Sequence, residues 1–390
     1  MNRTCDPLLR RQLLYPLSYG GVYLSILSGW NGLVGLIGSC FAREPGLGGG
    51  SRSIEVRSVI MSSQTISPSE ISKGQNEKIP KVMNVVRIDE FGGPEVVHVA
   101  EAPVPEQGPG ELLVKIQAAS VNPVDYKIRS GKYPAVQGDK LPYTLGRDLA
   151  GVVVACVPGE TGFSIGEDVY AYVGIERGCY GEFVVVKDSE ACRKPSSIEY
   201  TVAAGVPLAG ITAWQGLFRH GGLQSGQTVL IHGGSGGVGH LAVQFAKAKG
   251  AKVITTVSTK NVEFAQGLGA DQVIDYKIEK FEEVVDGVDL VFDLIGGETQ
   301  DRSWAVLKAG GVLVCTVQEP SQEQAKSHGV RAMRYTAEPS GPELCEIAAL
   351  IDRGLVIPHI SKLFFLREAA SAIKLVESGN SRGKVVLTVP

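Results

Sequence analysis

The chain has little of what a disulfide scaffold, a zinc lobe or a nucleic-acid-binding protein requires. Its seven cysteines, at 5, 40, 156, 179, 192, 315 and 345, form no close pair in sequence. Neither a disulfide framework nor a four-cysteine zinc lobe is expected from such spacing. The six histidines make no metal-ligand constellation. Neither sign of charge is in excess: 38 Lys and Arg against 41 Asp and Glu leave a net charge of −3. That balance is too even for a nucleic-acid or strongly basic membrane-surface protein. There is no internal repeat and no G-X-Y period, which excludes collagen. What is plentiful is glycine, 49 of 390 residues, about 13% against a usual ~7%. With 44% apolar and 20% charged residues, the length suits an ordinary soluble chain of two domains.

The charges are unevenly placed. Residues 1–60 hold six Arg and three acidic residues, a net of +3, so the remaining 330 carry −6. Between Arg11 and Arg43 lie 31 residues without a charge, 12–42. Such a run is long enough for a membrane span, but Pro16, Asn31, several serines and glycines at 29, 32, 35 and 38 make it a poor one. Three readings stay open. The arginines, serines and scarcity of acids fit an organelle presequence, chloroplast or mitochondrial. Residues 12–42 fit a membrane anchor, the one source of membrane contact. Met61 opens a polar stretch resembling an ordinary N-terminus, which fits a cytoplasmic protein translated from there. A bacterial lipoprotein signal ending at Cys40 fits less well, because the apolar run is too long. Residues 62–80 read as a disordered linker.

From Val82 to about Lys187 the apolar runs are short and broken by Gly and Pro, which predicts an antiparallel, loop-rich β domain. Beyond Pro195 strands alternate with helices. Strand-like segments fall at 228–232, 252–257, 272–275, 289–293 and 311–317, with helical ones at 237–249, 260–268, 279–285 and 299–308 between them. That alternation predicts an α/β fold, a doubly wound parallel sheet with helices on both faces. A last strand at 383–388 is placed to close the first β domain. The expected domains are 1–80 (leader and linker), 81–198 plus 338–390, and 199–337.

The run from His232 to Gly239 contains G-x-G-x-x-G at Gly234, Gly236 and Gly239, after a strand and opening a helix. In that context it is a dinucleotide-binding fingerprint. Bare backbone at Gly234 and Gly236 would let a pyrophosphate approach. N–H groups at the helix start, around Ser235, Gly237 and Val238, would bind its oxygens. Gly239 would let helix pack on strand. At the end of the second strand no carboxylate precedes Glu263, so the usual acceptor for a ribose 2′-hydroxyl is missing. Ser258 and Lys260 instead suit a 2′-phosphate, and Tyr276 adds a hydroxyl, which favours NADPH over NADH. For Lys260 a solvated lysine at a helix start is the alternative.

These residues resemble a known family. The stretch from Gly226 through the glycine loop to Lys247 is similar to the quinone oxidoreductases and zeta-crystallins, zinc-independent medium-chain dehydrogenase/reductases. The runs 122–127, 145–151, 207–213 and 382–384 extend the likeness from about Lys81 to the C-terminus, nearest to plant alkenal and enone reductases. The resemblance implies a GroES-like β domain with a Rossmann domain inserted, and a possible homodimer. It implies hydride transfer from NADPH to a quinone or to the C=C bond of an α,β-unsaturated carbonyl. Zinc members of the wider family carry a cysteine where this chain has the Asn122–Asp125 segment, and Gly-His-Glu where it has Gly146-Arg147-Asp148, so no metal is expected. Asn122, Tyr126 and Lys127 become candidates to bind or protonate the product enolate, on the loop that lines the family's active site, with Asp125 orienting that loop. Tyr126 as a packed aromatic and Lys127 as a solvated lysine remain alternatives, and bound water could serve as proton donor. By resemblance Thr212 and Lys384 contact the cofactor, and Ile295 and Val317 border its nicotinamide. A stand-alone enoyl-thioester reductase and an NADPH-binding protein with little turnover are the competing functions.

Overall fold

A computed structural model describes residues 79–157 and 159–390, together with the backbone of one short pairing, β1 (Ser18–Tyr19) on β2 (Val22–Tyr23). The presequence, anchor and start-site readings of 1–60, and nearly all of the 62–80 linker, otherwise lie outside the described residues. No helix among the described residues is long and apolar enough to cross a membrane.

The first β layer follows the short, glycine-punctuated runs. Strands β3 (Val82–Ile88), β4 (His98–Pro103) and β5 (Glu111–Val121) lead into helix α1 (Pro123–Arg129). They are followed by β6 (Tyr143–Thr144), β7 (Asp148–Cys156), β8 (Asp168–Tyr172), β9 (Phe183–Lys187) and β10 (Ala191–Arg193). Strand β5 is nearly buried along its length because it pairs antiparallel with both β7 and β9.

Helices α2 (Tyr200–Ala203) and α3 (Pro207–Trp214), the latter running into a π-helical turn at Gln215–His220, lead to the parallel sheet. There β11 (Thr228–His232), α4 (Gly239–Ala248), β12 (Lys252–Val257), α5 (Val262–Gly267), β13 (Gln272–Asp275) and α6 (Phe281–Val284) alternate. The series continues with β14 (Val288–Asp293), α7 (Glu298–Ser303), β15 (Leu307–Cys315), α8 (Gln322–Ser327) and β16 (Arg331–Arg334). The order β13-β12-β11-β14-β15-β16, all parallel, is that of a Rossmann sheet. Val, Ile and Leu fill its strands because helices cover both faces.

The chain then returns through α9 (Gly341–Asp352), β17 (Ile360–Phe365), α10 (Ala369–Glu377) and β18 (Lys384–Thr388). Strand β18 pairs antiparallel with β5, Val385 opposite Val121, so the C-terminus completes the first β layer.

Three sequence expectations need correction. The segment 122–127 is a helix entry and not a loop, because Pro123 sits at its first turn with φ already suited to the helix and Asp125 follows at N3. The helix expected over 299–308 ends at Ser303. A 3₁₀ turn buries Trp304 and Val306, and Leu307 already pairs with Val288. Cysteines that looked unpaired include a bridged pair: Cys192 of β10 and Cys345 of α9 form a disulfide across 153 residues. Spacing alone could not reveal it.

Candidate functional site

The glycine loop lies at the carboxyl end of β11, where the strand order reverses between β11 and β14, the usual crevice for a ligand in such sheets. Its glycines divide the work differently from the sequence reading. A Cβ on Gly234 would stand 2.0 Å from Thr255 Oγ1, so bare backbone here is already required for the loop to cross β12. A Cβ on Gly239 would meet Gly233 O at 2.1 Å, which is the tight helix–strand packing expected there. At Gly236 the nearest atom would be 3.4 Å away, and its open side faces the cleft. The N–H groups of Ser235 and Gly237 have no backbone acceptor among the described residues. A free donor pair at the start of α4 is a cradle for phosphate oxygens.

A cleft of about 1340 Å³ runs from this loop to α1. Its walls include Asn122, Tyr126, Lys127, Thr212, Ser235, Gly236, Gly237, Val238, Gly239, Ser258, Lys260, Tyr276, Ile295 and Val317. Asp125, Gly234 and Lys384, also expected at the site, do not line it.

At the far end of the loop, Asn261 Nδ2 donates to Ser235 Oγ (3.0 Å) and Ser258 Oγ (3.2 Å). Arg382 donates through Nε to Asn261 Oδ1 (3.0 Å) and through Nη2 to the Lys260 carbonyl (2.9 Å). Neither Arg382 nor Asn261 was singled out by local sequence logic. Arg382 arrives from just before β18, and only the family-like run 382–384 pointed to it. Tyr276 is exposed beside them, with Lys277 over its ring. At the other end Ile295 and Val317 are 53% and 45% exposed. They are the apolar lip at the ends of β14 and β15. Asp293 fixes the Ile295 loop by accepting from the N–H groups of Ile295 (2.9 Å) and Gly296 (3.0 Å). Thr212 is self-satisfied, its hydroxyl donating to Leu208 O at 2.6 Å, and Tyr335 OH donates to its carbonyl.

Beneath α1 lies a buried polar cluster. The N–H of Asn122 donates to Asp125 Oδ2 (2.8 Å), capping the helix and freeing the Asn122 side chain. Its Nδ2 donates to Asp148 Oδ2 (2.8 Å), and its Oδ1 accepts from Lys384 Nζ (2.5 Å). Asp148 also accepts from Ser120 Oγ (2.5 Å) and from Leu208 N (2.6 Å). Lys384 donates further to Val121 O (3.2 Å). This lysine, expected against the cofactor, is buried behind Asn122, because β18 brings it in edge-on to β5. Burial pushes its ammonium below the usual lysine range, opposed by Asp148 and Asp125. Asp125 accepts from Tyr180 OH (2.9 Å) and Gly146 N (3.3 Å). Burial raises its carboxyl from 3.8 to about 6, against the pull of the hydrogen bonds from Asn122 N–H and then Tyr180 OH. Tyr126 is half-buried, and burial first, then Glu377, raises its phenol, which keeps it a donor.

Comparison with known proteins matches the alcohol dehydrogenase GroES-like domain over residues 108–196 and a zinc-binding dehydrogenase domain over 268–387. NAD(P)H oxidoreductase RTN4IP1, mitochondrial, of Mus musculus is 34% identical over 79% of this chain and 89% of its own. The NADPH-dependent alkenal/one oxidoreductase, chloroplastic, of Arabidopsis thaliana is 34% identical over 84% of each. The quinone oxidoreductase of Coxiella burnetii superposes with a TM-score of 0.74 at 36% identity, over 80% of this chain and all of that one.

The chain belongs to the quinone oxidoreductase family of medium-chain dehydrogenase/reductases.

Within that family its fold is the GroES-like plus Rossmann-like pair. Although one matching domain is described as zinc-binding, no group of three or more His, Cys, Asp or Glu among the described residues could hold a metal ion. The two histidines beside the loop are packed. His232 bonds Thr256 Oγ1 and Ser303 Oγ (both 3.0 Å), and His240 bonds Gly236 O (2.9 Å). Burial lowers both to about 4, so both are neutral imidazoles. Cys315 is likewise buried, taking N–H bonds from Val317 and Gln318 on its sulfur. Nothing local in the sequence marks Asp148 as the hub of the cluster or Tyr180 as a hydrogen-bond partner of Asp125. Their polar atoms meet partners 28 and 55 residues away.

Proposed function

We propose that this protein is an NADPH-dependent, zinc-independent reductase of quinones or of the C=C bond of α,β-unsaturated carbonyls. The cleft itself carries the reading. It joins a phosphate cradle at one end to an apolar lip with hydrogen-bond donors at the other. Where zinc relatives place their ligands it has Asn122 and Arg147.

The residues present fit NADPH. Gly236 leaves the loop open, and Ser235 and Gly237 N–H groups are unpaired toward the phosphates. Ser258, Lys260 and Arg382 supply hydroxyl and cationic donors for a 2′-phosphate, with Tyr276 at the rim. The bound cofactor supplies hydride, and the protein's share is placement and exclusion of water. Ile295 and Val317 shield the reacting end. Asn122, held on both sides by Lys384 and Asp148, presents a fixed edge, and Tyr126 holds a phenolic proton beside it. Asp125 is a positioning residue, since among the described residues its carboxylate hydrogen-bonds only Asn122, Tyr180 and Gly146. Lys127 supplies positive charge on the same wall.

NADPH oxidation across quinones, short alkenals, ring enones and enoyl thioesters tests the reading. Steady turnover of quinones or free enones, faster than of thioesters, is expected. No turnover with any acceptor would leave a cofactor-binding protein instead. An NADH control should be slower by about tenfold or more, the loss of one or two charge-assisted phosphate bonds; equal rates would sink the 2′-phosphate assignment.

The proposed limits are 81–198 with 338–390 for the GroES-like domain and 199–337 for the Rossmann domain. For residues 1–60 we favour an organelle presequence, since the mitochondrial and chloroplastic names of the relatives match its composition. The N-terminal residue of the native protein tests it: a start at Met1 overturns it.

A further inference from the structure

Gly146 turns the chain with φ +92°, and a Cβ there would lie 2.2 Å from the Tyr180 ring, so only glycine makes this turn. The two residues after it then go to different places. Asp148 enters the buried cluster under α1. Arg147 lies in the wall of the cleft together with Tyr172, Leu208 and Thr212.

Arg147 is 4% exposed. Its Nε and Nη2 both donate to one acceptor, Val173 O, at 3.2 and 2.8 Å. Val173 N returns a bond to Arg147 O at 3.0 Å, and the guanidinium carbon stands 5.4 Å from the Tyr172 ring centre. The side chain is therefore held at a fixed angle. What it lacks is an anion. No carboxylate among the described residues is within 4 Å of it, whereas the similarly buried Arg129 and the partly buried Arg177 each have one. Its Nη1 has no hydrogen-bond partner among the described residues, and it is not among the polar atoms sealed from solvent. A buried cation without a counter-ion costs stability, and a site that retains one is built to receive negative charge.

We propose that Arg147 is a catalytic residue that binds the carbonyl oxygen of the substrate and holds the negative charge that develops on it. The proposal rests on the reductase reading above. Hydride from the cofactor forms the new C–H bond at the β-carbon. The C=C electron pair moves to the bond between α-carbon and carbonyl carbon, and the carbonyl pair moves onto oxygen. That enolate oxygen rests on Nη1–H, and NADPH has become NADP⁺. The α-carbon then takes a proton from water or Tyr126, because a guanidinium offers charge and donors but not its proton. On a quinone, hydride delivered to one carbonyl oxygen forms the O–H bond, the ring pairs shift to make it aromatic, and the other oxygen becomes the phenolate that rests at the same place. In this way the arginine that stands where zinc relatives carry histidine does the work of the Lewis acid.

The test separates binding from turnover. 4-Nitrophenolate mimics the anionic oxygen, and its affinity for the NADP⁺-loaded protein can be titrated by absorbance without any reaction. Arg147→Gln is expected to weaken phenolate at least tenfold and to lower kcat/KM for an enone by about 100-fold, the usual loss of one oxyanion donor. NADPH affinity, read by fluorescence, should stay within twofold, and guanidinium ion should restore part of the lost rate in Arg147→Ala. Arg147→Lys keeps charge but not the fork, and should fall between. It carries the binding test if Arg147→Gln does not fold. Unchanged phenolate affinity in the variant overturns the proposal. If the wild type turns over no acceptor, the reductase reading fails by itself, and the phenolate titration still decides whether Arg147 receives an anion.

Discussion

Asp125 shows how a residue can be close to the chemistry without touching it. It is fully buried, and its carboxyl is raised to about 6 from 3.8. The folded state therefore holds a proton that the unfolded chain releases first. Between about pH 4 and 6 the native state binds more protons than the unfolded one, so this group's contribution to stability falls as pH rises, by about 3 kcal/mol in all. Asp125→Asn removes the titration while keeping one acceptor. Urea unfolding at several pH values should show wild type losing stability relative to this variant across that window. A constant difference would mean that Asp125 is ionised throughout. The sequence named Asp125 as a residue that orients its neighbours. It could not show that Tyr180, 55 residues on, adds a second hydrogen bond to the one from Asn122 N–H.

Among the elements, the loop between β11 and α4 was legible because its demands are local. Strand, glycines and helix follow one another, and each glycine answers a distance of a few ångströms. The assignment of tasks within it was not legible, because Gly234 is bare for the sake of Thr255 on the next strand. This division predicts two different phenotypes. Gly239→Ala forces a backbone contact of 2.1 Å apart, and should cost about 2 kcal/mol of stability as well as cofactor affinity. Gly236→Ala meets nothing closer than 3.4 Å, so it should leave the melting temperature nearly unchanged yet weaken NADPH by tenfold or more. Equal stability losses in the two variants would contradict the assignment. Helix α1 was misread as a loop for a related reason: at seven residues it is too short to show a periodic pattern.

At the scale of the whole molecule, the chain ends matter more than their position in sequence suggests. Strand β18 completes the sheet begun by β5, and the segment that enters it brings Arg382 to the cleft wall and Lys384 into the buried cluster beneath α1. The disulfide between Cys192 and Cys345 ties the first β layer to the helix that follows the Rossmann sheet, closing a loop of 153 residues. Cross-links of this span restrict the unfolded chain, typically by 2–4 kcal/mol. Cys345 lies on the surface, so a reductant can reach the bridge. Cys345→Ser, or treatment with dithiothreitol, should lower unfolding free energy by about that amount in parallel melts; no change would mean the pair is reduced in the native protein.

By itself the sequence determined the Rossmann sheet, the glycine loop and the absence of a carboxylate between β12 and Glu263, since each is written in residues adjacent along the chain. Only the tertiary structure decided that Asp148 gathers Ser120, Asn122, Leu208 and Lys384, that Arg382 joins Lys260, and that Arg147 stands in the cleft without an anion. Those facts depend on which strands pair and which faces turn inward, and hydrogen bonds and ion pairs act over about 3 Å of space regardless of separation along the chain. The even charge balance likewise gave no hint of a cation left unpaired inside the protein.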